Sequence, residues 1–257
     1  MKIQFASDLH LEFAGNKSYL QKKPLVPAGD VLVLSGDIMP LAQLNQHAEF
    51  LDRLSDGFEQ VYWIPGNHEY YHFDIANHSG AFHEKVRPNI SLLNNQTVNL
   101  SGLTFHFTTL WSQLSLRNER AVERGLSDFR LIRVAGNPLS VHHYNRMHND
   151  SVVFLDKAFK REQLEPGIGK TIVVTHHVPT FQHYPRQWLG NILNEAFATD
   201  LDWLIDSSGA DYWIYGHNHA ATPEFKVGIT KLLTNQLGYV HYNEHEKFDA
   251  GRVLVFD

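Results

Sequence analysis

The chain has 257 residues, 43% of them hydrophobic and 19% charged, with a formal net charge of −6 at neutral pH. That length buries a sizeable core, and that composition disfavours intrinsic disorder. The acidic balance argues against a broad nucleic-acid surface, and the absence of cysteine removes disulfides, thiolate metal sites and a cysteine nucleophile.

In chain order, Ile3 to Ser7 is a short apolar strand that runs into Asp8-Leu9-His10. It begins at Lys2, so no signal peptide is expected before it, and the expected location is cytoplasmic. Residues 14–30, with Pro24, Pro27 and Gly29, read as a loop. Val31 to Ser35 is a second strand, ending at Gly36-Asp37. Leu41, Leu44, Ala48, Leu51 and Leu54 fall near helical spacing and predict a helix over 40–56. Val61 to Ile64 is a third strand, ending at Pro65-Gly66-Asn67-His68-Glu69. Residues 70–88 read as loop or short helix, followed by a strand over Ile90–Leu93. Val98–Leu100 and Leu103–Leu110 flank Ser101-Gly102 and predict a hairpin.

Residues 111–139 are the least regular stretch, rich in Arg and Gly. Ser140 is placed to cap a helix through about Arg161, with Val152, Leu155 and Phe159 on one face and a break at Pro166-Gly167. Thr171 to Thr175 is a strand that ends at His176-His177. Asp200 is placed to cap a further helix carrying Leu201, Leu204 and Ile205, closed near Gly209. Tyr212 to Tyr215 ends at Gly216-His217-Asn218-His219, and strands over 230–234 and 253–256 finish the chain. No apolar run approaches the roughly 18 residues of a membrane span. Helices alternating with strands, and hairpins between them, predict a mixed α/β domain of packed sheets covered by helices. One domain over 1–257 is expected, with an irregular substrate-side segment around 111–150.

Five strands thus end on Asp, Asn or His. Ligands of α/β sheets bind beyond the carboxyl ends of strands, so the five ends predict one shared site, and their side chains predict metal. Asp8 and His10 are two apart, as are His217 and His219; in extended chain both members of a pair face one way. Gly36 and Gly66 precede their ligands where a tight turn or close approach uses glycine. The Asp37 carboxylate can bridge two cations, which divides the ligands into two sets, the arrangement of a two-metal hydrolase.

The blocks Asp8-x-His10, Gly36-Asp37, Gly66-Asn67-His68-Glu69, His176 and Gly216-His217-x-His219 resemble the calcineurin-like metallophosphoesterase superfamily, in that family's order and over most of the chain. The resemblance implies a four-layer sandwich, two mixed β-sheets flanked by helices. It implies Asp8, His10, Asp37 and His219 around one metal, and Asp37, Asn67, His176 and His217 around the other. It implies that His68 protonates or stabilises the leaving group, and that a metal-bridging hydroxide attacks directly, without a phosphoenzyme. The expected cofactors are two divalent or trivalent transition-metal ions, Mn, Fe or Zn among them. Ile38-Met39-Pro40 after Gly36-Asp37, and Pro65 before Gly66, depart from the Ser/Thr protein phosphatases. The chain is closer to the small bacterial phosphodiesterase-like branch, which more often has Asp where Glu69 stands. The expected partner is a small phosphorylated substrate, a phosphodiester or a metabolite.

Two other readings compete. A non-catalytic metal-binding or protein-interaction module on the same fold would tolerate loss of His68 or of ligands, all of which are present. His68-Glu69-x-x-His72 also matches the zinc-protease pattern, with His78 as a third ligand, but that motif needs a helix and leaves four strand ends unexplained. Elsewhere, Arg117, Arg120, Arg124, Arg130 and Arg133 read as a solvated face sooner than a phosphate clamp. Trp111, Tyr71, Tyr184 and Trp188 read as packing residues sooner than stacking platforms. His142, His143 and His148 read as exposed helix residues, and His177 as a core or supporting one.

Overall fold

The computed structural model describes residues 1–164 and 169–256. Strand β1 (Lys2–Ala6) is followed by a helix, α1 (Ala14–Lys22), where a loop was expected over 14–30. Gly15, Asn16 and Ser18 favour a helix weakly, so tertiary contacts hold it. Leu20 is buried, and Asn16 Nδ2 donates to the carbonyls of Leu9 (3.0 Å) and Gly238 (2.8 Å). Strand β2 (Val31–Ser35) comes next. The helix expected over 40–56 opens as a 3-10 turn at Leu41–His47 and continues as α2 (Ala48–Gly57), with Phe50, Leu51 and Leu54 buried. After β3 (Gln60–Ile64), the stretch expected as loop or short helix also holds a strand, β4 (Phe82–Arg87), paired antiparallel with β5 (Ile90–Asn94). His83, Glu84 and Lys85 on β4 face water, so this edge strand carries no apolar alternation.

Strands β6 (Gln96–Leu100) and β7 (Leu103–Thr108) form the expected hairpin. Ser101 and Gly102 both have positive φ, 48° and 80°, as a two-residue turn of that hand requires. The irregular stretch resolves into α3 (Glu119–Gly125), α4 (Asp128–Leu131) and a small hairpin of β8 (Arg133–Val134) and β9 (Asn137–Pro138). Elements this short show no periodicity. Ser140 Oγ accepts from the His143 amide (3.3 Å) at the head of α5 (Val141–Leu164), as its sequence predicts. The expected break at Pro166-Gly167 lies outside the described residues. Strand β10 (Lys170–Thr175) precedes α6 (Asp202–Ser208), which ends at Gly209 with φ +69°. Its N-cap is Leu201; Asp200 sits one position earlier and accepts from the Asp202 amide (3.3 Å). Strands β11 (Tyr212–Tyr215), β12 (Phe225–Val227), β13 (Thr230–Thr234) and β14 (Val253–Val255) complete the order; β12 was not expected.

Two six-stranded sheets result, in the orders β14-β1-β2-β3-β5-β4 and β12-β13-β11-β10-β7-β6. In each the four central strands are parallel and both edges antiparallel. Ile3, Phe5, Val31 and Val33 of one sheet pack against Phe105, Phe107, Ile172 and Val174 of the other. The outer face of the first sheet, Leu32, Leu34 and Trp63, is covered by Phe50, Leu51 and Leu54 of α2. That of the second, Val173, Trp213 and Leu232, is covered by Leu155 and Phe159 of α5 and Leu204 and Ile205 of α6. Both faces of each central strand are therefore buried, which is why the strands read as continuous apolar runs. The expected α-β-β-α sandwich is the one observed. A bridge between Ser7 and Gln236 joins the sheets where β1 ends. Among the described residues no helix is long and apolar enough to cross a membrane.

Candidate metal centre

The loops after β1, β2, β3, β10 and β11 converge on one end of the sandwich. Their geometry is not the extended alternation that the spacing of Asp8 and His10 suggested. Asp8, His10, Asp37, His217 and His219 all have positive φ, between 48° and 78°. Such backbone is costly for non-glycine residues and clusters where a site demands it. It is held by amides of Asp8, His10 and Leu11 donating to the carbonyls of Gly36, Asp37 and Ile38 at 2.9–3.0 Å. Space is equally constrained: a Cβ on Gly66 would run into Asp37 Oδ1 and the His176 ring.

Three groups of candidate ligand atoms form there among the described residues, one of them His10, Glu12 and His68; the other two share Asp37. Those of Asp8, His10, Asp37 and His219 lie within 4.8 Å of one another, and so do those of Asp37, His176 and His217. In the first of these two, His10 Nε2 and His219 Nε2 are 2.9 Å apart, with Asp8 Oδ1 3.4 Å from His219 Nε2 and Asp37 Oδ2 3.8 Å from His10 Nε2. In the second, His176 Nε2 is 3.3 Å from Asp37 Oδ1. His217 and His219, two apart, thus serve different groups. Asn67 Oδ1, His176 Nε2 and His217 Nδ1 are buried without a hydrogen-bond partner. Buried polar atoms left so are costly, and a cation beside Asp37 would partner both imidazole nitrogens.

The far side of each ligand is anchored. His10 Nδ1 meets Glu12 Oε1 (3.1 Å), His176 Nδ1 the Ser35 carbonyl (2.8 Å), His217 Nε2 the Ala196 carbonyl (3.1 Å) and His219 Nδ1 Glu244 Oε2 (2.7 Å). Asn67 Nδ2 donates to Asp128 Oδ1 (2.9 Å), which turns its amide oxygen inward. Such outer partners fix which ring atom faces a metal. Neutral imidazole, amide and carboxylate donors in these numbers fit borderline transition ions.

Electrostatics points the same way. Burial opposes charge on His176 and His219, yet Asp37 beside the first and Asp8 with Glu244 beside the second raise them to about 9 and about 10. Protons thus sit where cations fit. Burial also disfavours the Asp37 carboxylate, but His176 and His68 hold it well below the usual carboxylate range. Burial and the His176 charge drop His217 to about 3.

His68 lies beside these groups. Its Nδ1 meets Glu12 Oε1 at 2.8 Å, its Nε2 is 4.0 Å from Asp37 Oδ2, and its ring lies 4.1 Å from that of Tyr71. Glu12 was missed from sequence; only its position two residues past His10 could have flagged it. Glu69, where the related branch more often has Asp, clamps the loops that carry the candidate ligands. It is fully buried and accepts from the amides of Asp37 (2.8 Å), Ile38 (2.7 Å) and Gly66 (2.6 Å) and from Trp63 Nε1 (3.0 Å).

That placement removes the zinc-protease reading. Residues 68–70 form one 3-10 turn, Tyr71 is extended and His72 is exposed. His78 pairs with Glu84 at 3.2 Å. The five arginines of the 111–139 stretch are all exposed, as expected of a solvated face. Trp111 is core, packed on Tyr70 and Tyr144. His148 is buried, its Nδ1 3.1 Å from the Leu110 carbonyl, contrary to the expected exposure. His177 is buried, 3.0 Å from the Tyr144 hydroxyl. A cavity of about 410 Å³ opens beside the ligands, walled by Tyr71, Asp128, Tyr184, Trp188, Leu193 and Phe197, among others.

Comparison with known proteins extends these observations. Residues 1–221 match the model of the calcineurin-like phosphoesterases. A protein of Acanthamoeba polyphaga mimivirus, described as uncharacterized protein L509, is 28% identical over 287 aligned positions covering 98% of each chain. The structure of phosphopantetheinyl hydrolase from Mycobacterium tuberculosis superposes with a TM-score of 0.67 at 19% identity, over 100% of this chain and 96% of that one. A dimetal phosphatase from Danio rerio superposes with a TM-score of 0.51 at 12% identity, over 92% and 87%.

Proposed function

The chain belongs to the calcineurin-like phosphoesterase family, and from that premise we propose that it is a binuclear metal-dependent phosphoesterase acting on a phosphodiester or a small phosphorylated metabolite. The observation that carries the reading is the pair of buried, unpartnered ring atoms, His176 Nε2 and His217 Nδ1, gathered beside Asp37, with Asn67 Oδ1, likewise buried and unpartnered, on a residue that lines the same cavity. Asp8, His10, Asp37 and His219 would hold one ion; Asp37, Asn67, His176 and His217 the other. When bound, a pair of such ions activates water and offsets charge on the phosphoryl group in flight.

The chain's own residues do the rest. Asp37 joins the two sets. The anchors behind each imidazole hold the ligands ready, so little reorganisation accompanies binding. His68 carries the proton for the departing oxygen on Nε2, while Nδ1 is held by Glu12. Water supplies the oxygen that joins phosphorus and gives up one proton to solvent, the old P–O bond breaks, the leaving alcohol departs with the His68 proton, and solvent returns a proton to His68. Because ligands come from both sheets, we take the whole chain as one catalytic domain.

The test is hydrolysis of matched aryl phosphate mono- and diesters after reconstitution with Mn, Fe or Zn in turn, alongside Asp37→Asn. A phosphopantetheinyl ester belongs in the panel, given the name of the M. tuberculosis neighbour. Turnover that needs metal and vanishes in Asp37→Asn supports the reading. Unchanged activity in a metal-free variant refutes it.

A further inference from the structure

The cavity beside the metal ligands reaches well past the space a phosphate needs. At about 410 Å³ it falls in the range that encloses a drug-sized organic group. Its chemistry is one-sided. Tyr184, Trp188, Leu193 and Phe197 give it an apolar wall, and among the described residues no Lys or Arg lines it. The charged side chains beyond the ligands that do line it, Asp128 and Glu244, are acidic.

The wall is tied to the site and to the rest of the fold. Phe197 stacks on the His217 ring at 4.8 Å, so the apolar surface begins at the candidate metal ligand itself. The turn over Ile192–Ala196 is fastened to the 115–118 segment through Glu195. Its carboxylate accepts from the Ser115 amide (2.9 Å), Ser115 Oγ (3.0 Å) and Asn118 Nδ2 (2.7 Å). The Leu193 side chain lies against Gly125, closing the wall on α3.

We propose that this wall makes the enzyme select phosphoesters whose organic group is uncharged and largely apolar, against esters whose organic group carries a second anion. The proposal rests on the phosphoesterase reading for the identity of the phosphate subsite. The physical reason is twofold. An apolar group gains by leaving water for Trp188, Leu193 and Phe197. A second phosphate or carboxylate would be desolvated there with no cation to pair it, facing Asp128 and Glu244. Such selectivity is set by this chain's 184–197 segment, not by the metal ligands.

The experiment has two arms on metal-loaded protein. Calorimetry compares binding of methylphosphonate, 2-phenylethylphosphonate and 2-carboxyethylphosphonate. Kinetics compares the 4-nitrophenyl diesters built on the same three groups, so the leaving group is constant. The phenylethyl compound is expected to bind and to turn over about tenfold better than either other member. Trp188→Ala and Leu193→Ala should each pull that ratio towards one, and Asn191→Lys should raise the carboxyethyl compound relative to the rest. Equal binding by all three phosphonates, preference for the carboxylate, or binding of none overturns the proposal. Selective binding with no hydrolysis of any ester leaves the pocket assignment standing and overturns the phosphoesterase reading instead.

Discussion

Glu12 Oε1 lies 2.8 Å from Nδ1 of His68 and 3.1 Å from Nδ1 of His10, so one carboxylate oxygen orients a candidate acid and a candidate metal ligand together. Burial works against charge on Glu12, but its hydrogen bonds to His10 and His68 hold it down at about 2. It is therefore an anion across the ordinary pH range. Its negative charge favours a proton on His68.

His68→Ala should lower turnover by about 10² to 10⁴ for alkyl esters, which need a proton on the leaving oxygen, and much less for 4-nitrophenyl esters. Glu12→Gln should show the same leaving-group dependence in weaker form. Metal content, read by mass spectrometry, should stay at the wild-type level in His68→Ala. Equal losses for good and poor leaving groups would sink the acid role.

Glu69 receives four donors and has no donor to return. In Glu69→Gln one amide NH₂ must face an N–H, leaving buried groups unpaired. A loss on the order of 2–3 kcal/mol is expected, seen as a lower urea midpoint at unchanged slope. An unaltered midpoint would show that the clamp is dispensable.

Gly66→Ala should fold but bind metal poorly, because the new methyl group meets Asp37 Oδ1 and the His176 ring. Gly15→Ala, where the methyl group meets open space, is the control. Metal titration followed by fluorescence separates the two. Equal affinity in both variants contradicts the crowding argument.

Metal uptake should release protons. His176 and His219, raised to about 9 and about 10, are protonated at pH 7 and must lose that proton to coordinate. Apparent affinity should therefore climb as pH rises from 6 towards about 10, and flatten above. Calorimetry in buffers of different ionisation enthalpy should show about two protons leaving per chain at pH 7. Uptake without proton release would contradict this.

Much of the site was legible because its signal is local: an apolar run, often a glycine, then a ligand residue. Asp8, His10, Asp37, Asn67, His176, His217 and His219 all follow that pattern; the fold brings the six Asp and His side chains into two groups and puts Asn67 on the same cavity. What escaped the sequence depends on distant partners. Nothing near Glu12 says that its carboxylate reaches residue 68, and nothing near Glu69 says that it will hold Asp37 and Ile38. Helix α1 is stabilised by contacts of Asn16 with Leu9 and Gly238, the latter 222 positions away. Strand β4 hides because water, not core, faces most of its side chains.

The central claim is that two ions share Asp37, and metal counting tests it most directly. Protein reconstituted with Mn or Zn, desalted and measured by inductively coupled plasma mass spectrometry should carry about two ions per chain. His217→Ala should keep about one, and Asp37→Ala should keep neither at full occupancy. A wild-type protein that retains one ion or none, or an Asp37→Ala variant that still retains two, would contradict the account.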